Sequence, residues 1–204
     1  MRYEMLTLTV RLGGAGAVLA GVKADSERSI TAAKLVGCWT SEIGELNRIF
    51  VLRSFADDAA MQAERWKLTG DVNPFSAGEA IQEMVFDSYA PFPWAAPPQP
   101  GPYGAVYEIR TYKLKHGGLP ATIAAWEAAM PGREEFSPLS LAMYALEGAP
   151  RFTHIWPFAS LDARAKARAD SVAAGAWPPK NGPAWLTGDM RSTVALPAPF
   201  SPLA

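Results

Sequence analysis

The sequence predicts an α+β protein of two tandem ferredoxin-like β-α-β-β-α-β units, packed together as an intramolecular dimeric α/β barrel. Three observations carry that expectation. The stretch "YEIRTYKLKHGG" at Tyr107–Gly118 has a weaker copy, "YEMLTLTVRLGG", at Tyr3–Gly14, 104 positions earlier. Between them lies "APFPWAAPPQPGPYG", Ala90–Gly104, whose prolines and glycines can continue neither a central strand nor a helix. On either side the same order of strand-like and helix-like segments recurs, and a repeat outweighs any single motif.

The second copy is the clearer one. Val106–Leu114 alternates two faces, with Tyr107, Ile109, Thr111 and Lys113 on one and Glu108, Arg110, Tyr112 and Leu114 on the other, as a strand does. Gly117-Gly118 ends it. Pro120 suits a first helical turn, and Leu119, Ile123, Trp126 and Met130 recur at helical steps, so a helix is expected to about Glu135. Ser140–Glu147 and Phe152–Phe158 read as a hairpin around "EGAPR". Ser160 is a helix N-cap with Asp162 in the first turn, and "SLDARAKARADSVAAG" is a strong helix former that stops at Gly175. Met190–Leu196 supplies the last strand.

The first copy repeats this order: strand Arg2–Val10, helix from about Ala15 to Ile30, strands Lys34–Ser41 and Arg48–Phe55, helix Asp57–Leu68, strand Ile81–Tyr89. Four strands with helices on one face leave the other sheet face bare, and such a face needs a cover. Packing the two open faces together provides it within one chain. The expected organisation is a unit at 1–95, a linker at 96–104 and a second unit at 105–204.

Composition narrows the functional classes. The chain has 204 residues, 49% of them hydrophobic and 19% charged, which is globular rather than disordered. Nineteen Lys and Arg stand against twenty Asp and Glu, with no basic run, so nucleic acid is not expected as a partner. No stretch approaches ~18 uninterrupted apolar residues, so no membrane span is expected. The start, "MRYEMLTLTVRLGG", does not read as a signal peptide. With Cys38 as the single cysteine, a reducing, cytoplasmic setting is expected. Sheet edges and exposed helices leave room for a homodimer.

Two segments offer chemistry. Glu108, Arg110 and Tyr112 share one strand face; if it lines a cavity, they suit an anionic or carbonyl-bearing ligand, and if not, they are a structural ion pair covered by a phenol. His154 shares a face with Phe152, Trp156 and Phe158 and is the candidate acid or base, with a pocket-wall histidine as the structural alternative. His116 lies in an exposed turn. No His/Cys cluster has metal-ligand spacing, so no metal is expected. Cys38 beside Trp39 reads as buried rather than reactive. "GGAGAVLAG" follows a strand and opens a helix but lacks dinucleotide-loop spacing. Arg164, Lys166 and Arg168 read as solvated helix surface.

"VYEIRTYKLKHGG" and "HIWPFASLDAR" together make the second half resemble a NIPSNAP domain, over about Ala105 to Leu203. The first half keeps Glu4 but has Leu6, Leu8, Val51 and Arg53 where the second has Arg110, Tyr112, His154 and Trp156. The resemblance implies the dimeric α/β-barrel fold, shared with antibiotic-biosynthesis monooxygenase-like proteins and with haem-degrading or haem-binding relatives. It implies no settled reaction. No cofactor is expected, with haem on His154 as the alternative. The leading expectation is a small organic ligand bound in the barrel between the halves, at Glu108, Arg110, Tyr112, His154 and Trp156. The alternatives are a cofactor-independent monooxygenase-like enzyme and a non-catalytic interaction module.

Overall fold

The computed structural model describes residues 1–28 and 31–204. The chain forms two compact units: Met1–Ala90 with Gln99–Pro102 and Ala195–Ala204, and Pro91–Pro98 with Tyr103–Val194. The first contains β1 (Arg2–Val10), α1 (Ala15–Ser26), β2 (Lys34–Ile43), β3 (Arg48–Phe55), α2 (Asp58–Gly70) and β4, which runs Ile81–Pro91. Its sheet has the order β4-β1-β3-β2 with antiparallel pairs. The second contains β5 (Val106–Leu114), α3 (Leu119–Glu134), β6 (Leu141–Ala145), β7 (Arg151–Phe158), α4 (Leu161–Ala173) and β8, which runs Leu186–Pro197. Its order is β8-β5-β7-β6. Each unit therefore places its fourth strand beside its first and its third beside its second, the ferredoxin-like arrangement.

The repeated Gly-Gly has two jobs. Gly13 and Gly117 turn the chain with φ of 75° and 77°, where a side chain would strain the backbone. Their successors make room: a Cβ on Gly14 would stand 3.0 Å from that of Ala80, and one on Gly118 would stand 3.0 Å from that of Trp185. The second helix of each unit is capped alike. Asp57 Oδ1 accepts from the Ala60 N–H at 2.9 Å, and Ser160 Oγ accepts from the Ala163 N–H at 3.1 Å.

Several boundaries differ from the sequence expectation. The helix expected to reach Ile30 ends at Ser26, and Ile30 lies outside the described residues. β6 is shorter than expected. β8 starts at Leu186 rather than Met190, because pairing with β5 carries it through Gly188 and Asp189; the Lys115 N–H donates to the Trp185 carbonyl at 2.9 Å and Thr187 Oγ1 to that of Lys113 at 3.2 Å. The Pro/Gly-rich segment is more than a spacer. Phe92 is fully buried among Trp94, Trp126 and Phe152 of the second unit, and its N–H bonds the Ala142 carbonyl at 2.9 Å.

The two cores are built from different residues. Under α1, the first unit packs Leu6, Leu8, Val18, Val22, Ile49 and Val51, with Phe75 inserted from the turn after α2. Under α3, the second unit packs aromatics, with Trp126, Phe152 and Trp156 at the centre. The opposite sheet faces are buried as well, at Tyr3, Met5 and Leu52 in one unit and Tyr107, Ile109 and Ile155 in the other. The fit of Phe75 depends on Gly21, where an added Cβ would lie 1.8 Å from the Phe75 carbonyl oxygen. Gly21→Ala should therefore destabilise by about 2 kcal/mol as an overpacking change, lowering Tm by about 4–8 °C in a chain of this size. Thermal denaturation followed by circular dichroism measures this.

Candidate functional site

Register on the β5–β7 ladder decides which side chains meet. Glu108 lies opposite Trp156, Arg110 opposite His154 and Tyr112 opposite Phe152. All six project from the same face, and that face is the one covered by α3 and α4 of their own unit: Trp126 of α3 contacts Phe152 and His154, and Arg164 of α4 bonds Glu108. The sequence expectation put these residues in a space between the halves. Alternation along β5 instead sends Tyr107 and Ile109 to the other face and the polar set beneath the helices.

Glu108 is the electrostatic centre, 1% exposed. Its Oε1 accepts from Arg110 Nη1 at 2.6 Å, from Ser192 Oγ at 2.7 Å and from Arg164, and Arg168 Nη1 stands 3.7 Å from Oε2. Burial pushes this carboxyl up, but the Arg164 hydrogen bond, the Arg110 charge and the Ser192 hydroxyl outweigh it and hold its pKa at about 2. Arg110 also donates from Nε to the Tyr112 hydroxyl, with its guanidinium 5.2 Å from the centre of the phenol ring. Burial pushes the Tyr112 phenol up, so it stays neutral.

Arg164 and Arg168, read from the sequence as solvated surface, belong to this site. Four positions apart on α4, they share the face that carries buried Ala167, whereas Lys166 points outward and pairs with Asp170. The i, i+4 spacing was the available signal. The alternation of basic residues along "DARAKARAD" obscured it.

His154 is 2% exposed and ringed by aromatics, with Trp126 at 4.7 Å and Tyr112 at 4.9 Å between ring centres. Its Nδ1 accepts from Trp156 Nε1 at 2.6 Å, and its Nε2 has no partner among the described residues. Burial first, and then the Arg110 charge, push its pKa well below the ordinary range. The imidazole is thus neutral near pH 7, and the accepting Nδ1 assigns its proton to Nε2.

Beside this cluster lies a cavity of about 150 Å³. Its walls are Tyr112, Trp126, Phe152 and Trp177, with Leu186, Met190 and the 178–183 turn completing a partly open lining. Of the five residues singled out from sequence, Tyr112 lines it; Glu108, Arg110, His154 and Trp156 are not among the lining residues, and Arg110 is joined to the lining through its hydrogen bond to the Tyr112 hydroxyl. Trp126 and Trp177 escaped the sequence reading as site residues because each sits in a helix-like or irregular segment without a motif. In the first unit, among the described residues, the hollow at Val22, Val51, Arg53 and Phe75 holds about 10 Å³, and a more open one of about 410 Å³ runs along Lys23, Arg28, Lys34, Leu35 and Phe200, without an aromatic cage. Cys38 lies buried in that unit, and burial pushes its thiol up to about 12, away from nucleophilic use. Among the described residues, no three His, Cys, Asp or Glu side chains gather as a metal-ligand set, and no helix is long and apolar enough to cross a membrane.

The first unit keeps the anchor alone. Glu4 is fully buried, bonded by Arg53 and, at 2.7 Å, by Arg65 Nε, while Arg65 Nη2 donates to Ser88 Oγ at 2.7 Å. Arg65 occupies on α2 the place that Arg168 has on α4, and Ser88 the place of Ser192. This duplicated frame matches the outcome of comparison with known families: the NIPSNAP family model matches residues 3–96 and again 107–202. The chain belongs to the NIPSNAP family. This tandem NIPSNAP chain is similar to a NIPSNAP family protein of unknown function from Agrobacterium tumefaciens, 29% identical over 52% of this chain and 99% of the other, with a TM-score of 0.45. Over nearly its whole length it is similar to a candidate monooxygenase from Lactobacillus acidophilus, 11% identical, covering 96% and 93% of the two chains with a TM-score of 0.67. An anthrone oxidase-like protein matches at 9% identity over 97% and 91%, with a TM-score of 0.69. The last two likenesses show the fold class: α+β, with ferredoxin-like units as in the dimeric α/β-barrel proteins. No curated protein matches the sequence.

The anchor gives a test. Glu108→Gln leaves Arg110 and Arg164 without their counter-charge and should cost about 3–5 kcal/mol at pH 7 by chemical denaturation. The folded-state pKa of Glu108, about 2, lies below its ordinary 4.5, so its contribution is complete above the higher value and is lost as pH falls through the lower. Over that window this one carboxylate should remove about 3 kcal/mol of stability from the native protein, and the Gln variant should lack that component.

Proposed function

We propose that this NIPSNAP protein binds a small, ring-bearing organic molecule inside its second unit, in the cavity walled by Tyr112, Trp126, Phe152 and Trp177. The observation that carries this reading is the lining: about 150 Å³ walled by the rings of Tyr112, Trp126, Phe152 and Trp177, where the first unit packs the aliphatic Leu8, Val22 and Ile49 at the places of Tyr112, Trp126 and Phe152. A largely apolar cavity of ~150 Å³ is large enough for a benzene-sized ring. Aromatic walls then meet the ligand edge-on or face-on at little entropic cost. The retained Glu108 frame does not distinguish the units, because Glu4 has it too; the aromatic lining does.

The same geometry favours binding over acid–base catalysis. With Nδ1 occupied by the Trp156 indole and the ring held neutral, His154 offers a hydrogen-bond donor at Nε2 rather than a free lone pair. The likeness to a candidate monooxygenase and an anthrone oxidase-like protein leaves oxygenation of a ring substrate as the chemistry to assay once a ligand is known. Haem fits poorly: the cavity is below the ~300–1,000 Å³ usual for larger organic ligands, and the rings of Tyr112, Trp126 and Phe152 stand between it and His154.

Toluene should bind saturably, read as a change in tryptophan fluorescence from Trp126 and Trp177 and confirmed by calorimetry. Leu186→Trp, which fills the cavity from β8, should weaken it at least ~10-fold, the loss expected when an apolar side-chain-sized space is occupied. Unsaturable toluene uptake in the native protein, or equal uptake in the filled variant, refutes the reading.

A further inference from the structure

The layer between the second sheet and its helices holds four guanidinium groups and one carboxylate. Arg110 and Arg164 bond Glu108, while Arg168 approaches it only to 3.7 Å and makes no hydrogen bond with it. Arg133, 3% exposed, has no carboxylate partner among the described residues; it bonds Ser137 Oγ at 2.8 Å and lies with its guanidinium 4.4 Å from the centre of the Trp156 ring. Within this layer Glu108 is the acid to which the ion pairs of Arg110, Arg164 and Arg168 run. The buried donor His154 Nε2 also lacks a partner.

Buried positive charge without a counter-ion is costly. Its surplus is visible in the arginines themselves. Burial and the Arg168 charge push Arg133 down to about 10, and burial and the Arg110 charge push Arg168 down. The first unit, whose matching core is aliphatic, sets two arginines on its carboxylate and fills the remaining places with Leu6, Val51 and Met61. The extra arginine and the ring-lined cavity occur together in the second unit. They also touch: Tyr112 forms cavity wall with its ring and accepts from Arg110 with its hydroxyl, and the Arg168 charge reaches the same phenol.

We propose that the ligand of the second-unit cavity is an organic oxyanion of the aromatic carboxylate class, its ring between Trp126, Phe152 and Trp177 and its charged oxygens held by Arg110 and Arg168 beside the Tyr112 hydroxyl. This rests on the binding reading above and adds the charge. Arg168 is the arginine with donors to give, since it hydrogen-bonds no carboxylate and its side chain is 39% exposed at the edge of the layer. A planar guanidinium pairs with a carboxylate through two parallel hydrogen bonds, which a neutral amide cannot reproduce.

The test is calorimetric titration at pH 7 with benzoate, its neutral isostere benzamide, and toluene. Benzoate should bind at least ~10-fold more tightly than benzamide, the margin of a charge-assisted hydrogen bond over a neutral one. Arg168→Gln, at an exposed edge, should erase that preference, and Arg110→Met should do the same; toluene, which carries no charge, reports whether the cavity of each variant is intact. Equal affinity for benzoate and benzamide while toluene binds overturns the anion assignment and leaves cavity binding standing. A benzoate preference that survives both substitutions also overturns it. If none of the three probes binds, both readings fall.

Discussion

Both units are organised around one buried interaction: a glutamate in the opening strand, held by an arginine from the second helix. Glu4 and Glu108 are almost without solvent contact, and each meets guanidinium groups from more than one element. Such a pair is weak evidence of net stability, since desolvation offsets much of the attraction, but it cannot be half removed without leaving a bare charge inside the protein. It therefore fixes geometry. The arginine decides how the helix lies on the sheet, and Ser88 or Ser192 ties the last strand into the same knot.

From that common frame the units diverge in what fills the space beside the anchor. Leu6, Leu8, Ile49 and Val51 close the first unit with branched aliphatic side chains, and Phe75 plugs it from the turn after α2. At the matching places the second unit has Arg110, Tyr112, Phe152 and His154. Flat rings cannot interdigitate as aliphatic chains do; they meet edge to face, as Tyr112 and Phe152 do at 84° and Trp126 and Trp177 at 89°. A cage built from rings leaves a hole about the size of a ring. The two units thus differ in their cores, one packed with branched aliphatic side chains and the other with rings beside a cluster of arginines.

Much of the fold was legible because strand alternation and helix spacing are local. β1 and β3 begin and end where their patterns predict, and the Asp57 and Ser160 caps stand at the expected helix starts. Boundaries set by pairing were not legible: β8 runs through Gly188 and Asp189, residues of low strand propensity, because β5 pairs with it. The candidate site was legible along β5 and β7, where Glu108, Arg110, Tyr112, His154 and Trp156 announce themselves by type and period. Arg133, Arg164, Trp126 and Trp177 come from helices and a turn, and no linear pattern says that they converge.

By itself the sequence determined that the chain is a duplicated β-α-β-β-α-β unit of the NIPSNAP family, and that its second copy carries the unusual polar and aromatic residues. Periodicity and repetition are properties of the linear chain, so they survive without coordinates. Only the tertiary structure decided which sheet face those residues share with which helices, and that a cavity stands next to them rather than around them. It also decided that three arginines gather on one carboxylate. Those outcomes depend on distances between segments far apart in sequence, where a side chain's role is set by what it meets and not by its own type.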